Sequence, residues 1–242
     1  MKIAVYGDSF ATTTEQTKHF SWFNLLAKKL GGRVENDFTV DFSYGAGGAS
    51  TFYSYKKFLE TYDRYDFVIF IAGDPYRYTK SIIYNNQPRF MSNVATIEHY
   101  MRDQNSTSYF KENLQKIKHW FEVSDNDYQD ITQDLMVRDI ESKFFDKSLI
   151  LPANDKSFYK DKAGQYRMSG FNLWDYCQVI HKSLNVPDTR WANERQDKIN
   201  CHMTEEANVL LADMLFDYFQ NKSILKLPDH IKHDHPWEYY YE

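Results

Sequence analysis

The chain has 242 residues and a formal net charge of −5, and charged residues make up 26% of it. This length fits one domain or two small ones. The chain has 19 Tyr, 18 Phe and 5 Trp, and this large amount of apolar surface available for burial excludes wholesale disorder. The acidic balance argues against a nucleic-acid partner, which would need a basic face, and no stretch approaches the roughly 20 apolar residues required to cross a membrane.

The first 75 residues alternate between strand and helix signals. The predicted strands are Lys2–Tyr6, Val34–Phe42 and Asp66–Ala72, and the predicted helices are Phe20–Leu30 and Ser50–Glu60. Asp66–Ala72 has the strongest strand signal, because it is apolar on both faces, as a central parallel strand should be. This βαβαβ order predicts an α/β fold in which helices cover both faces of a parallel sheet and the loops after the strands meet at one edge.

The middle of the sequence is less regular than its two ends. Thr79–Asn105 is polar and aromatic, without a clean period. The later predicted elements are the helices Ser108–Phe121, Asp127–Phe145, Phe171–Ser183 and Thr204–Gln220, and the strand Lys147–Leu151. Thr204 suits the N-cap of the last helix. We therefore expect one α/β domain over residues 1–221 with a helical insertion at about 79–146, followed by a polar C-terminal tail over residues 222–242.

Ser9 and His202 are the candidate catalytic pair. Ser9 follows the first predicted strand in Gly-Asp-Ser-Phe, where a turn exposes its hydroxyl at the top of the sheet. A serine hydroxyl is a poor nucleophile at neutral pH and needs a base, usually an imidazole, within hydrogen-bond reach. His202, just before the last predicted helix, is well located for that role. Taken singly, each residue has a simpler alternative: Ser9 as the cap of a local turn and His202 as a solvated loop residue.

A glycine loop, Gly45-Ala-Gly-Gly48, follows the second predicted strand. Acyl transfer needs N–H donors aimed at the developing oxyanion, and the backbone at Gly48 can approach a substrate closely. The alternative for Gly48 is a tight turn from strand to helix, which also explains a glycine. A further Gly-Asp pair, ending at Asp74, follows the third predicted strand.

In combination and in order, these motifs and the His-Met-Thr sequence before the last helix resemble the SGNH (GDSL-like) hydrolase family, over roughly residues 1–80 and 147–221. The resemblance implies a three-layer α/β/α fold with a mainly parallel, flavodoxin-like sheet. It implies a serine hydrolase, an esterase or deacetylase, that cleaves an ester or O-acyl bond through an acyl-enzyme. In that mechanism Ser9 is the nucleophile and one oxyanion donor, Gly48 a second donor and His202 the general base.

The same resemblance implies what the enzyme would bind. The substrate would be a small-molecule or carbohydrate ester, with O-acetylated sugars as one class, and no metal or organic cofactor is expected. Aromatic loops around the site favour a ring-bearing substrate. A homo-oligomer is a further expectation for the chain.

Asp74 departs from the family pattern, which has an asparagine at this position to donate an N–H to the oxyanion. An ionised carboxylate donates no hydrogen bond, and losing one such donor costs about 3–4 kcal/mol in transition-state stabilisation. Three alternatives remain open. Burial keeps Asp74 protonated, or Arg77 or Tyr76 supplies the positive or donor group, or the site is catalytically weak.

The acid of the expected triad is the second departure. The family usually has an aspartate three residues before the histidine, and Ile199 occupies that position here. Asp197 or Asn200 could orient the imidazole instead, and we favour Asp197. Otherwise Ser9 and His202 work as a dyad.

The cysteine count and the N-terminus bear on the setting of the chain. Two cysteines are too few for a disulfide framework, and the first residues do not read as a secretory signal. We therefore expect a cytoplasmic protein, in the host cytoplasm if the chain is viral. The alternative to an enzyme is a catalytically weakened SGNH-like protein with a binding or assembly role, for which Asp74 and Ile199 are the support.

Overall fold

The computed structural model describes residues 1–31, 39–77, 81–84, 87–90, 94–104, 107–124, 126–144, 146–153, 172–183, 199–200 and 202–221. The helices within these ranges are α1 (Trp22–Gly31), α2 (Thr51–Thr61), α3 (Val94–Arg102), α4 (Ser108–Val123), α5 (Asn126–Lys143), α6 (Leu173–Ser183) and α7 (Glu205–Asn221). The strands are β1 (Lys2–Gly7), β2 (Thr39–Gly45), β3 (Phe67–Ala72), β4 (Ser81–Tyr84), β5 (Gln87–Phe90), β6 (Ser148–Pro152), β7 (Ile199–Asn200) and β8 (Met203–Thr204).

Four parallel strands form the central sheet, in the order β2–β1–β3–β6. This is the flavodoxin-like order that we expected. From β1 the chain moves to one side of the sheet to form β2, and it then crosses to the other side to form β3. Such a reversal opens a crevice at the carboxyl ends of the strands on either side of it, which is where open α/β sheets bind their ligands. The fold therefore directs a site to the loops after β1 and β3.

The side chains of the sheet alternate between two apolar layers. Ile3 and Val5 of β1 pack in one core with buried residues of α1, α6 and α7. Ala4 and Tyr6 point the other way and pack in a second core with α2 and α5. Because helices cover both faces of the sheet, the fold is the expected three-layer α/β/α arrangement.

Helix α5 is part of the second layer. Its Val137 and Ile140 share a core with Phe70 of β3 and Ile150 of β6. Parallel neighbouring strands need a crossover connection of this kind, and α5 supplies the helix of the connection from β3 to β6. The preceding helices α3 and α4 have a separate small core that includes Ile97. The outer limits of the domain and of the insertion stay predictions.

Two regions differ from the sequence-based expectation for local reasons. Thr79–Asn105, which showed no clean period, contains the antiparallel β4–β5 hairpin and α3, elements too short to establish a pattern. Strand β2 continues beyond its predicted end to Gly45, because Tyr44 and Gly45 pair with Tyr6 and Gly7 of β1. That extension brings the glycine loop next to the end of β1.

The last helix begins as expected. The Thr204 hydroxyl accepts a hydrogen bond from the Ala207 N–H at 3.4 Å, which is the N-cap geometry. No helix in the described ranges is both long and apolar enough to cross a membrane. Residues 34–38 of the predicted second strand and the tail over residues 222–242 lie outside the described residues.

Gly45 and Gly47 make a matched pair for testing how closely these loops pack. A Cβ built on Gly45 would overlap the carbonyl group of Ala11, whereas a Cβ on Gly47 meets no heavy atom within 4 Å. We predict that Gly45→Ala lowers the free energy of unfolding by about 3 kcal/mol, because backbone has to move, and that Gly47→Ala changes it by less than about 0.5 kcal/mol. Urea unfolding followed by circular dichroism measures both values, and equal losses would contradict the described packing.

Candidate active site

Ser9 lies at the carboxyl end of β1, as the first residue of a short 3-10 turn over Ser9–Ala11. The Asp8 carboxylate caps this turn by accepting a hydrogen bond from the Phe10 N–H at 3.1 Å. The Ala11 N–H closes the turn on the Asp8 carbonyl oxygen at 2.9 Å. The first N–H groups of a helical turn have no partner within it. The turn therefore leaves both the hydroxyl and the N–H of Ser9 at the edge of the sheet.

His202 contacts Ser9 although 193 positions separate them in the sequence. The His202 Nε2 atom lies 2.6 Å from the Ser9 Oγ atom, which is hydrogen-bond distance. His202 lies between β7 and β8, where Asn200 and Met203 pair antiparallel, and its φ is 62°. A left-handed backbone at a non-glycine residue costs about 1 kcal/mol or more, and such residues cluster at functional sites.

Two aromatic side chains pack around the imidazole of His202. The ring of Phe10, which follows Ser9, has its centroid 5.0 Å from the imidazole centroid. The ring of Trp174, on α6, lies 5.6 Å away in an edge-on arrangement. Trp174 and Phe10 also contact each other edge-on, at 6.3 Å. These contacts restrict the positions open to the imidazole and support the one in which it contacts Ser9.

Gly48 lies in a tight turn just after β2. The Ala49 N–H bonds to the Ala46 carbonyl oxygen at 2.9 Å, and Gly48 has φ 74°. A positive φ at the third position of a turn is typical of type II, which favours glycine there. The Ala46 N–H bonds to the Gly7 carbonyl oxygen at 3.1 Å, which holds the turn beside the end of β1. The turn bond uses the Ala49 N–H and leaves the Gly48 N–H for another acceptor.

A buried ion pair joins the three loops that follow β1, β2 and β3. Asp8 is 1% exposed, and its carboxylate lies 2.6 Å from the guanidinium of Arg77. The same Arg77 nitrogen donates to the Ala49 carbonyl oxygen at 3.3 Å. A buried carboxylate destabilises the fold unless it is paired with a positive charge and hydrogen-bonded. Here Arg77 supplies the positive charge, and the Phe10 N–H supplies a hydrogen bond.

Asp74 bonds to its own loop. Its carboxylate accepts a hydrogen bond from the Tyr76 N–H at 2.9 Å, which is an Asx turn. The Tyr76 hydroxyl in turn donates to Asp130 of α5 at 3.1 Å. Burial, and then the hydrogen bond and negative charge of Asp130, raise the pKa of Tyr76 to about 12. The Tyr76 hydroxyl is therefore neutral, and its hydrogen bond is already donated to Asp130 of α5.

The structure brings together part of the set of residues that the sequence proposed. Ser9 and His202 are in contact, and the turn of Gly48 is held at the adjacent strand end. Arg77 pairs with Asp8, an interaction that sequence reasoning missed. The sequence did contain a signal for this ion pair, because Asp8 and Arg77 follow two strands that end at the same edge of the sheet. Asp197 lies outside the described residues, so its role stays a prediction.

Comparisons with known proteins add little to this description. No protein-family model matches the chain, and no curated protein matches it. Among solved structures, the chain is similar to the lipase/acylhydrolase from Enterococcus faecalis, at 15% sequence identity and a TM-score of 0.37. That similarity covers 94% of this chain and 99% of the other.

The Asp8–Arg77 pair can be tested by a double-mutant cycle. Arg77→Met keeps most of the side-chain volume but leaves the buried carboxylate without its counter-ion. We predict that it lowers the free energy of unfolding by about 3 kcal/mol, the range seen when one partner of a buried pair is removed. Adding Asp8→Asn should recover part of that loss. Additive losses in chemical denaturation would contradict a direct interaction between the two side chains.

Proposed function

We propose that this protein is a serine hydrolase of the SGNH type that cleaves an ester or O-acyl bond. The observation that carries the proposal is the 2.6 Å contact between Ser9 Oγ and His202 Nε2. That contact lies at the carboxyl ends of the sheet strands, where α/β folds bind ligands. A serine within hydrogen-bond distance of a histidine has the arrangement that activates a nucleophile for acyl transfer.

The reaction follows from the geometry of this pair. As Ser9 Oγ attacks the carbonyl carbon of the ester, His202 Nε2 takes the hydroxyl proton. The tetrahedral intermediate collapses when His202 returns this proton to the departing alcohol oxygen, which leaves the acyl group on Ser9. A water molecule then attacks the acyl carbon and gives a proton to His202, which passes it to Ser9 Oγ as the carboxylic acid leaves.

Two backbone groups are available for the oxyanion of the tetrahedral intermediate. They are the N–H of Ser9, at the start of its turn, and the N–H of Gly48, which the turn bond does not use. Donors already held in position stabilise charge that develops in the transition state, and each contributes about 3–4 kcal/mol. The Ala46–Gly7 hydrogen bond holds the turn of Gly48 beside the end of β1, which Ser9 follows.

Asp74 limits this oxyanion hole. Its carboxylate accepts from the Tyr76 N–H and has no N–H to donate. The Arg77 nitrogen that contacts Asp8 is also engaged with Ala49, and the Tyr76 hydroxyl is engaged with Asp130. We infer a hydrolase with two oxyanion donors in place of three, and hence with a modest rate.

Other parts of the proposal come from the sequence. We propose Asp197 as the residue that orients the imidazole, with Asn200 or an unassisted Ser9–His202 dyad as the alternatives. A small-molecule or carbohydrate ester as substrate, a cytoplasmic location and a homo-oligomer likewise stay proposals.

The second candidate function is a binding or assembly role on the same fold. The observation that favours it is the carboxylate of Asp74, because a negative charge near an oxyanion opposes catalysis. A binding protein of this kind would bind an ester without turning it over. The two functions differ in one testable property, because only the hydrolase requires an activated Ser9 hydroxyl.

Covalent labelling tests for that activation without knowledge of the substrate. We predict that a fluorophosphonate probe modifies Ser9 in the native protein, because His202 removes the proton from its hydroxyl as it attacks. Peptide mapping by mass spectrometry identifies the modified residue. Labelling should disappear in Ser9→Ala and fall at least about a hundredfold in His202→Ala.

The matched control for the histidine is His99→Ala. His99 is an exposed residue of α3, so its loss should leave the rate of labelling unchanged. Labelling that persists in His202→Ala, or that occurs on another serine, would contradict the proposed pair.

Asp74→Asn tests the incomplete oxyanion hole. An asparagine keeps the oxygen that accepts from the Tyr76 N–H and adds an N–H donor. We predict that the variant raises the rate of Ser9 labelling about tenfold or more, since one oxyanion donor is worth about 10²–10³ in rate. The control is Asp74→Ala, which removes the charge without adding a donor. Equal rates in the two variants would mean that the negative charge, and not a missing donor, limits the site.

A further inference from the structure

Gln133 of α5 contacts the loop that leads from β3 to Arg77. Its Nε2 atom donates a hydrogen bond to the Gly73 carbonyl oxygen at 3.0 Å, across 60 positions of the sequence. Gln133 is 2% exposed, so this hydrogen bond is shielded from water. Because Gly73 is the first residue after β3, the bond fixes the point at which the loop leaves the sheet. The reaction proposed above assigns no role to Gln133.

A second hydrogen bond attaches the other end of the same loop to α5. The Tyr76 hydroxyl donates to the Asp130 carboxylate at 3.1 Å. Asp130 and Gln133 are three positions apart on the helix, so their side chains are neighbours on its surface. The loop is therefore held to α5 at its start, through Gly73, and again at Tyr76, directly before Arg77.

Gly73 also packs against the Asp8 carboxylate. A Cβ built on Gly73 would lie 3.3 Å from the Asp8 Oδ2 atom, which is closer than most real Cβ contacts. The same oxygen accepts the hydrogen bond from Arg77 at 2.6 Å. The attraction within a buried ion pair offsets the loss of hydration only when its geometry is good. A shift of Gly73 would therefore disturb the space in which Asp8 and Arg77 meet.

The ion pair in turn determines where Ser9 lies. Asp8 caps the turn of Ser9 by accepting a hydrogen bond from the Phe10 N–H, and Arg77 holds the Asp8 carboxylate in place. A misplacement of about 1 Å at a reacting group can lower a rate about 10²-fold, even when the altered residue is far from the chemistry. The contacts of Gln133 therefore reach the nucleophile through a short series of hydrogen bonds and packed groups.

We propose that Gln133 is a positioning residue for Ser9, acting through Gly73 and the ion pair between Asp8 and Arg77. Helix α5, from the middle of the sequence, then does more than connect β3 to β6, because it also sets the loop after β3. The effect of Gln133 on the reaction rests on the proposed function, whereas its effect on the ion pair does not. A purely structural Gln133 would stabilise the fold and change neither the ion pair nor the reactivity of Ser9.

The first measurement is the coupling free energy between Asp8 and Arg77. Gln133→Met keeps most of the side-chain volume and removes the N–H donor. The matched control is Gln129→Met, one turn earlier on α5, because Gln129 Oε1 is buried and has no hydrogen-bond partner among the described residues.

The double-mutant cycle of Asp8→Asn and Arg77→Met is repeated in each of these two backgrounds by urea unfolding. A loss of stability common to all members of a cycle cancels, so the coupling reports the ion pair alone. We expect Gln133→Met to reduce the coupling by at least about half and Gln129→Met to leave it unchanged.

The second measurement is the rate at which a fluorophosphonate labels Ser9. We expect the maximal labelling rate in Gln133→Met to fall about tenfold, while the probe concentration that gives half of this rate changes less than about twofold. Gln129→Met should label as the native protein does. Gln133→Asn should behave as Gln133→Met does, because its amide is one methylene too short to reach the Gly73 carbonyl oxygen, and it replaces Gln133→Met in both measurements if circular dichroism shows the latter to be unfolded.

The proposal is overturned if the coupling between Asp8 and Arg77 is the same in the Gln133→Met and Gln129→Met backgrounds. It is also overturned if the native protein is labelled on Ser9 and both variants label at the native rate, a result that would leave the hydrolase standing. Absence of labelling in the native protein would instead overturn the hydrolase. The coupling measurement would then decide by itself whether Gln133 positions the ion pair.

Discussion

The buried ion pair between Asp8 and Arg77 is the interaction on which the rest of the candidate site depends. A parallel sheet brings the ends of its strands to one edge, but it does not fix the loops that follow them. Arg77, after β3, bonds to Asp8, after β1, and to the carbonyl oxygen of Ala49, after β2. Because Asp8 also caps the turn of Ser9, one guanidinium holds Ser9, the glycine turn and the third loop in register.

The same arginine also lines a cavity of about 200 Å³ between α2, α4, α5 and the loop after β3. One of its nitrogens holds the turn of Ser9 through the Asp8 carboxylate. Helices α4 and α5, from the middle of the sequence, contribute residues to the lining of this cavity. Arg77 is therefore where the loops after the strands meet helices α4 and α5.

Local sequence patterns predicted the sheet and directed attention to Ser9 and His202, which are in contact. The apolar runs of β1 and β3 are long enough to identify buried parallel strands, and Gly-Asp-Ser directly after β1 directs attention to Ser9. His202 was found because it precedes an amphipathic helix with a clear N-cap. What the sequence did not predict depends on distant contacts, such as the ion pair between Asp8 and Arg77. Contacts of this kind follow from the packing of the layers and have no signature in a short window.

The structure also gives a reason for what was hardest to predict in the middle of the chain. The β4–β5 hairpin and α3 are short, so neither a two-residue nor a helical period could establish itself there. In contrast, the sequence of α5 was recognisable as a helix. Its position covering one face of the sheet was not predictable, because its packing against β3 and β6 depends on the crossover connection.

The most direct test of the central claim is a crystal structure of the protein after reaction with a fluorophosphonate. The account predicts phosphorus bonded to Ser9 Oγ and the phosphoryl oxygen within about 2.7–3.1 Å of the N–H groups of Ser9 and Gly48. It also predicts that His202 stays next to the modified serine. A phosphoryl oxygen that points away from both N–H groups, or an adduct on another residue, would contradict the account.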